Sequence, residues 1–286
     1  MATQMTAPEF DTIRYEPVQN GVARIVLARP EVHNAQNSIL LYELNDALDM
    51  ACHDNNVVVI IVAADGDNFS SGHDLNPRGD RPMTSFKPVT PWGGFDLPGQ
   101  EGHWAVEQEK FLGFSWRWRN IPKPTIVEVQ GKVIAGGLML VWPFDIIIAS
   151  EDAKFADPTV EFGVNGVEYF GHPWEFGPRK AKELLFTGGA MDAQEAKSVG
   201  MVNKVVPRDQ LESAAREMAE QIAKKPSMGL KLAKQAVNQA QDGQGFWSNQ
   251  QAALSLHHLG HAHTRIDGIG VNPEIRKLIK DQMRDI

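Results

Sequence analysis

The 286-residue chain has one cysteine, Cys52. That excludes an internal disulfide framework and fits a reducing compartment. Cys52 falls within a helical pattern and reads as a small buried apolar residue rather than a reactive thiol. Basic residues are also scarce: 28 Lys and Arg stand against 36 Asp and Glu, for a net charge of -8 and a pI near 5.6. No nucleic-acid or membrane partner is expected, because both call for a basic surface. An anionic small molecule needs only a local basic pocket and stays open. Long hydrophobic runs are missing too. The longest, Val57–Ala64, is far short of the ~20 residues that cross a bilayer. The start, MATQMTAPEFD, has neither a basic flank nor an apolar run, so no signal peptide is expected and the location expected is cytoplasmic. Internal repeats and low-complexity tracts are absent.

What is present alternates strand and helix. Ile13–Val18 and Ala23–Ala28 flank Asn20-Gly21, a strong hairpin signal. Ser38 is placed to cap a helix carrying Leu41, Leu44, Leu48 and Ala51 at helical spacing. Val57–Ala64 is apolar throughout, as a strand covered on both faces should be. Residues 76–103 are dense in Pro and Gly without periodicity. A loop of that length suggests either a lid over a site or a surface excursion. Trp104–Arg119 reads as a helix stopped by Ile121-Pro122-Lys123-Pro124. Later come a short strand at Ala153–Ala156, an irregular stretch at Phe162–Gly177, and a helix at Pro178–Phe186. A second helix capped by Asp192 and a strand at Val202–Val206 follow. From Arg208 onward four helical segments follow, the last over residues 273–285. The expected division is an α/β core over 1–207, with an extended loop at 76–103, and a helical region over 208–286.

One stretch organises the rest. Thr125–Ser150 reads as strand, turn, a short buried helix from Leu138 to Phe144, and strand, with Ala135-Gly136-Gly137 at the helix start. Adjacent glycines there let backbone approach a ligand and leave N–H groups unpaired, suited to a developing negative charge. A close-packed turn without a ligand would give the same pattern.

Three motifs in order carry a likeness. They are Phe69-Ser70-Ser71-Gly72-His73-Asp74-Leu75, the run Gly131…Ala135-Gly136-Gly137…Asp145, and Leu185-Phe186-Thr187-Gly188…Ala193-Gln194-Glu195-Ala196…Gly200 through Pro207. With Arg29-Pro30…Asn34-Ala35, they resemble the crotonase, or enoyl-CoA hydratase/isomerase, superfamily over about residues 22–226. The resemblance implies a spiral of ββα units with C-terminal helices that build homotrimers or dimers of trimers. The partner it implies is an acyl-CoA thioester, with no cofactor other than the coenzyme A of the substrate and no metal. Its carbonyl oxygen would lie against the backbone N–H groups of His73 and Gly136, an oxyanion hole for an enolate-like state. Ser71, Asp74, Leu75 and Ala135 would flank those donors. Met139, Thr159, Tyr169 and Trp174 would complete the substrate-binding set.

Two positions depart from the hydratase pattern. Hydratases of the superfamily carry a glutamate three residues beyond the second donor and another directly after the proline that ends the next strand. Here those positions hold Met139 and Thr159, and neither side chain is an acid or base at neutral pH. Glu168 becomes the leading catalytic candidate, followed by Glu161. With Tyr169, Phe170 and Trp174 as walls, the Glu168 carboxyl is expected to be poorly solvated and raised in pKa. A surface glutamate paired with lysine is the plain alternative. His172 could be a second acid–base group or a hydrogen-bonded structural histidine. His257 and His261, one helical turn apart, could chelate a metal, but a solvated or subunit-contact face is the expectation. The reaction expected is of the hydratase, isomerase or lyase type. A C–C hydrolase or decarboxylase on a bulky substrate, or acyl-CoA binding alone, are the alternatives.

Overall fold

The computed structural model describes residues 9–76, 80–267 and 277. The chain opens on a hairpin, β1 (Ile13–Gln19) antiparallel to β2 (Val22–Leu27). Asn20 and Gly21 both take positive φ, 52° and 80°, which a two-residue turn between right-twisted strands requires. Helix α1 (Ser38–His53) follows, and β3 (Val59–Ala64) returns parallel to β2. The cap of α1 is Asn37, not Ser38: the Asn37 side chain accepts from Leu40 N–H at 2.9 Å. Ser38 is the first helical residue, with its N–H and hydroxyl both donating to Asp80.

Beyond the long loop, α2 (Gln100–Glu107) passes through a wide π turn at Gln108–Gly113 into α3 (Phe114–Arg119). The single helix expected over Trp104–Arg119 is thus longer and locally unwound. Gly113 permits the wide turn, since a Cβ there would stand 2.3 Å from the Gln108 carbonyl oxygen. Strand β4 (Thr125–Val129) joins the sheet beside β3, and the three-residue β5 (Lys132–Ile134) leaves it. Next come a 3₁₀ helix at Ala135–Leu140, β6 (Ile146–Ser150) and β7 (Lys154–Ala156). The buried segment after the glycines is therefore shorter and tighter than the helix read to Phe144.

Helix α4 (His172–Thr187) breaks its backbone at Phe176 and Gly177 and so begins inside the stretch read as irregular. Then come β8 (Ala190–Asp192), α5 (Ala193–Ser198) with Asp192 as its cap, and β9 (Lys204–Val206). Three helices close the described chain: α6 (Leu211–Ala223), α7 (Ser227–Gly243) and α8 (Phe246–Asp267). The segment 273–285, apart from residue 277, lies outside the described residues.

The main sheet runs β1-β2-β3-β4-β6-β9 and is parallel except for the first pair; β5-β7-β8 form a second, three-stranded sheet. Alternation along β3 covers both faces of the main sheet. Ile60 and Val62 face the larger core with α1 and α3, and Val59 and Ile61 face Leu211, Ala214, Ala215 and Ala219 of α6. Across that second face Arg24 bridges to Glu128 at 2.8 Å and to Glu16 at 2.7 Å, so strands from three positions share one buried charge network. Among the described residues no helix is long and apolar enough to cross a membrane.

Candidate active site

The site begins where β5 and the segment after β3 run together. Phe69 N donates to Gln130 O, Ser70 N to Lys132 O, and Ile134 N back to Ser70 O. On its other side the segment bonds to residues 33–36: Ser71 N donates to His33 O, Gln36 N to Gly72 O, and Asp74 N to Gln36 O. Gly72 lets the strands close up, because a Cβ there would lie 2.8 Å from Ile134 O and 3.3 Å from Gly136 N. His73 and Gly136 are therefore neighbours through their backbones. The amides on either side of His73 are occupied, whereas His73 N–H has no acceptor among the described residues. Gly136 lies in the first turn of its 3₁₀ helix, where N–H groups lack an intrahelical partner.

The His73 ring occupies a slot. One face stacks on Phe111, with centroids 3.9 Å apart, and the other lies on Gly136, where a Cβ would approach the ring to 2.6 Å. Its Nε2 stands 3.2 Å from both carboxylate oxygens of Glu168. Glu168 is buried, and its second neighbour is His257 of α8, at 3.7 Å. Burial alone would raise the Glu168 pKa, but His73 and His257 outweigh it and hold the carboxyl below its ordinary value. The sequence-based expectation of a raised pKa is thus overturned, and so is the aromatic wall. Tyr169 and Trp174 turn their rings toward Phe246, and Phe170 packs on His172.

Helix α8 clamps the segment carrying Glu168. Asn165 Nδ2 donates to Ala253 O, Gly166 O faces His257 Nδ1 at 2.8 Å, and Phe170 O accepts from Asn249 and Gln250. Of the two histidines expected on a solvated or subunit-contact face, His257 is 3% exposed and so interior, while His261 stays partly exposed. Lys110, in the π turn, donates to Ser38 Oγ at 3.1 Å. Burial lowers its pKa against the opposing pull of Asp80, Glu107 and Glu168.

The remaining candidates sit apart from this pair. The His172 Nε2 meets Asp157 at 2.8 Å, and Asp157 also accepts from Thr159 Oγ and Val167 N. Burial opposes ionisation of Asp157, yet His172 and those donors hold its carboxyl below the usual range. Glu161 abuts Gly188 at the end of α4. Asp74 pairs with Arg29 at 3.0 Å, Ser71 Oγ reaches Val32 O at 3.4 Å, and Leu75 is exposed. Ala135 takes a positive φ of 47°, and Met139 is buried in the core. A cavity of about 490 Å³, lined by Trp142, Tyr169, Glu175, Lys234 and Phe246 among others, includes none of His73, Gly136 and Glu168. Proximity of reactive groups, not cavity volume, therefore locates the candidate site. Phe111 reads from sequence only as the packed side of the helix, and Glu107, Glu109 and Lys110 are not singled out there at all. The one available signal was a cluster of charged residues interrupting the apolar pattern of 104–119.

The enoyl-CoA hydratase/isomerase family model matches residues 17–90 and 94–277. The chain belongs to this family. A Mycobacterium tuberculosis protein named "Putative enoyl-CoA hydratase EchA13" is 44% identical over 261 residues, covering 89% of this chain and 82% of that protein. The crystal structure of a probable enoyl-CoA hydratase from Mycobacterium thermoresistibile superposes with a TM-score of 0.80 at 47% identity, over 89% of this chain and 98% of that one. An enoyl-CoA hydratase/isomerase from Xanthobacter autotrophicus Py2 gives 0.79 at 33% identity, over 97% and 94%. The mixed α/β architecture is thus the crotonase fold of the enoyl-CoA hydratase/isomerase family, with the His73–Gly136 junction formed where the segment after β3 meets β5 and the 3₁₀ turn that follows it.

Proposed function

We propose that the chain processes an acyl-CoA thioester, with the thioester oxygen held by the N–H groups of His73 and Gly136 and Glu168 transferring the proton. The observation that supports this most directly is the pairing of Glu168 with the ring of the very residue whose backbone N–H lacks an acceptor. Glu168, ionised at neutral pH, accepts a proton from the carbon next to the thioester carbonyl. The C–H bonding pair moves into the forming C=C bond, and the carbonyl π pair moves onto oxygen, where two fixed N–H dipoles meet it. In a thioester with a double bond between the next two carbons the enolate extends over it, and return of the proton from Glu168 to the far carbon shifts the double bond and completes an isomerisation. With Met139 and Thr159 at the positions where hydratases carry glutamates, neither position supplies a carboxylate to activate water, so isomerase or lyase chemistry is favoured over hydration. The step requires no cofactor beyond the coenzyme A of the substrate. The chains are proposed to assemble as trimers or pairs of trimers, which light scattering would measure.

A panel of acyl-CoA and enoyl-CoA thioesters analysed by mass spectrometry tests the reading. The expected result is turnover of at least one thioester, very slow hydration of short enoyl-CoA, and loss of turnover in Glu168→Gln with binding retained. General-base catalysis contributes about 10²–10⁴-fold, so the variant should fall by that factor. Rapid hydration of crotonyl-CoA, or a Glu168→Gln variant of undiminished rate, would overturn it.

A further inference from the structure

Next to the site, but outside the chemistry proposed for it, four histidines surround one carboxylate. Glu107, at the end of α2, has a side chain 4% exposed. His103, one helical turn earlier, places Nε2 2.9 Å from Glu107 Oε1, and His261 of α8 places Nε2 3.4 Å from the same oxygen. His258 Nε2 lies 2.9 Å from Oε2, and His257 Nε2 lies 3.8 Å from it. Despite these short approaches, Glu107 Oε2, His257 Nε2 and His258 Nε2 are all buried without a hydrogen bond. His257 and His258 converge on Oε2, but not along directions in which an N–H could be shared with it.

That arrangement has a chemical meaning. Imidazole nitrogen and carboxylate oxygen are ligands suited to zinc and its first-row neighbours. Ligand atoms held ~2.0–2.1 Å from a tetrahedral zinc stand about 3.3 Å from one another. The 2.9 and 3.4 Å separations of His103 and His261 from Glu107 bracket that edge, and the three ligand atoms all lie within 4.8 Å of one another. Spacing supplies the rest. His103 and Glu107 are four apart on α2 and so share a face, and α8 turns His258 and His261 toward that face. His258 is in turn fixed through its other side, where Gln100 Nε2 contacts both its Nδ1 and its carbonyl.

We propose that His103, Glu107 and His261 bind one divalent transition-metal ion of the zinc type, with His258 supporting Glu107 from behind. The ion clamps α2, which follows the long loop, to α8, which holds the Glu168 segment. Its role is structural, and the site stands whether or not Glu168 is the catalytic base.

The test uses the full-length protein stripped with chelator and dialysed. Zinc chloride titrated by calorimetry should bind at one ion per chain and raise the melting temperature. Cobalt(II) in the same site should show visible d–d absorption of a four- or five-coordinate ion. The His103→Ala/His261→Ala variant, its folding checked by circular dichroism, should weaken zinc binding by about 100-fold or more. His53→Ala, remote from the cluster, should leave it unchanged. Absence of stoichiometric zinc binding would overturn the proposal. So would equal affinity in the double variant, or a cobalt spectrum of the six-coordinate aqua ion. If the double variant does not fold, the cobalt spectrum of the wild type decides alone.

Discussion

Glu109 offers a perturbation whose effect can be worked out from its contacts. It is fully buried in the π turn, and its two oxygens collect four donors. Oε1 accepts from Tyr42 OH at 3.0 Å and Val89 N at 2.6 Å, while Oε2 accepts from Thr90 N at 2.9 Å and from Thr90 Oγ1. Val89 and Thr90 belong to the long loop, so this carboxylate ties the loop to α1 and the helix below it. Glu109→Gln keeps the shape but turns one oxygen into an NH₂ group. Whichever way the amide lies, one backbone N–H, of Val89 or of Thr90, faces another donor, while the hydroxyl beside it can turn and accept from the NH₂. An orphaned buried donor costs about 1–3 kcal/mol, so the variant loses roughly that much at this anchor, less some relief from no longer burying a charge. The loop can escape that penalty by lifting into water, which makes the loss local. Hydrogen exchange reads it directly, because the Val89 and Thr90 amides are themselves two of the donors. A loss of 2 kcal/mol corresponds to about a 30-fold fall in their protection. Amides of β3, which lie in the sheet, should hold their protection. Unchanged exchange at residues 89 and 90, or an equal fall in β3, would refute the loop-anchor account.

Three further outcomes follow from other contacts. Gly136→Ala should leave the melting temperature within a few degrees but displace the His73 ring from Glu168, since the new Cβ would meet that ring at 2.6 Å. Acyl-CoA turnover should fall at least 100-fold, and a small effect would remove His73 from the site. Glu175 is pushed up to about 8 by burial, from an ordinary value of 4.5. The folded chain then holds a proton between those two values that the unfolded chain has released, so stability falls as pH rises through that window. Urea unfolding should show Glu175→Gln flattening the decline by about 1–3 kcal/mol between pH 5 and 8; an identical slope in both proteins would contradict the shift. Asp157→Ala strips His172, Thr159 and Val167 of a shared buried acceptor. It should cost about 3–5 kcal/mol in denaturant unfolding, and a loss below about 1 kcal/mol would show the pair to be dispensable.

Reading from sequence succeeded where short-range physics decides. The Asn20-Gly21 turn, the doubly covered β3 and the Asp192 cap each depend on a few adjacent residues, and each stands in the structure at or near its expected place. Errors arose where a distant partner decides. Ser38 reads as a cap until Asp80 is seen to take its donors. Strands β5 and β8, three residues each, are too short for periodicity and exist only through pairing with β7. The π turn depends on a single tight approach at Gly113. Within the site, the conjunction of His73 and Gly136 was accessible only through resemblance, since it joins segments some sixty residues apart. Glu168 is legible as a candidate, but its surroundings are not. The aromatics beside it in sequence turn inward, and the groups that set its charge state, His73 and His257, come from about ninety residues away on either side.

The placement of α8 over the segment 163–170 has a consequence for biosynthesis. A chain emerging from the ribosome exposes both sheets, the glycine junction and Glu168 long before residues 246–267 leave the exit tunnel. Until then Asn165, Gly166 and Phe170 lack their partners on α8, and Glu168 has His73 but not His257 beside it. In the nascent protein the segment carrying Glu168 therefore stays without its α8 contacts until residues 246–267 have been made and can pack on it.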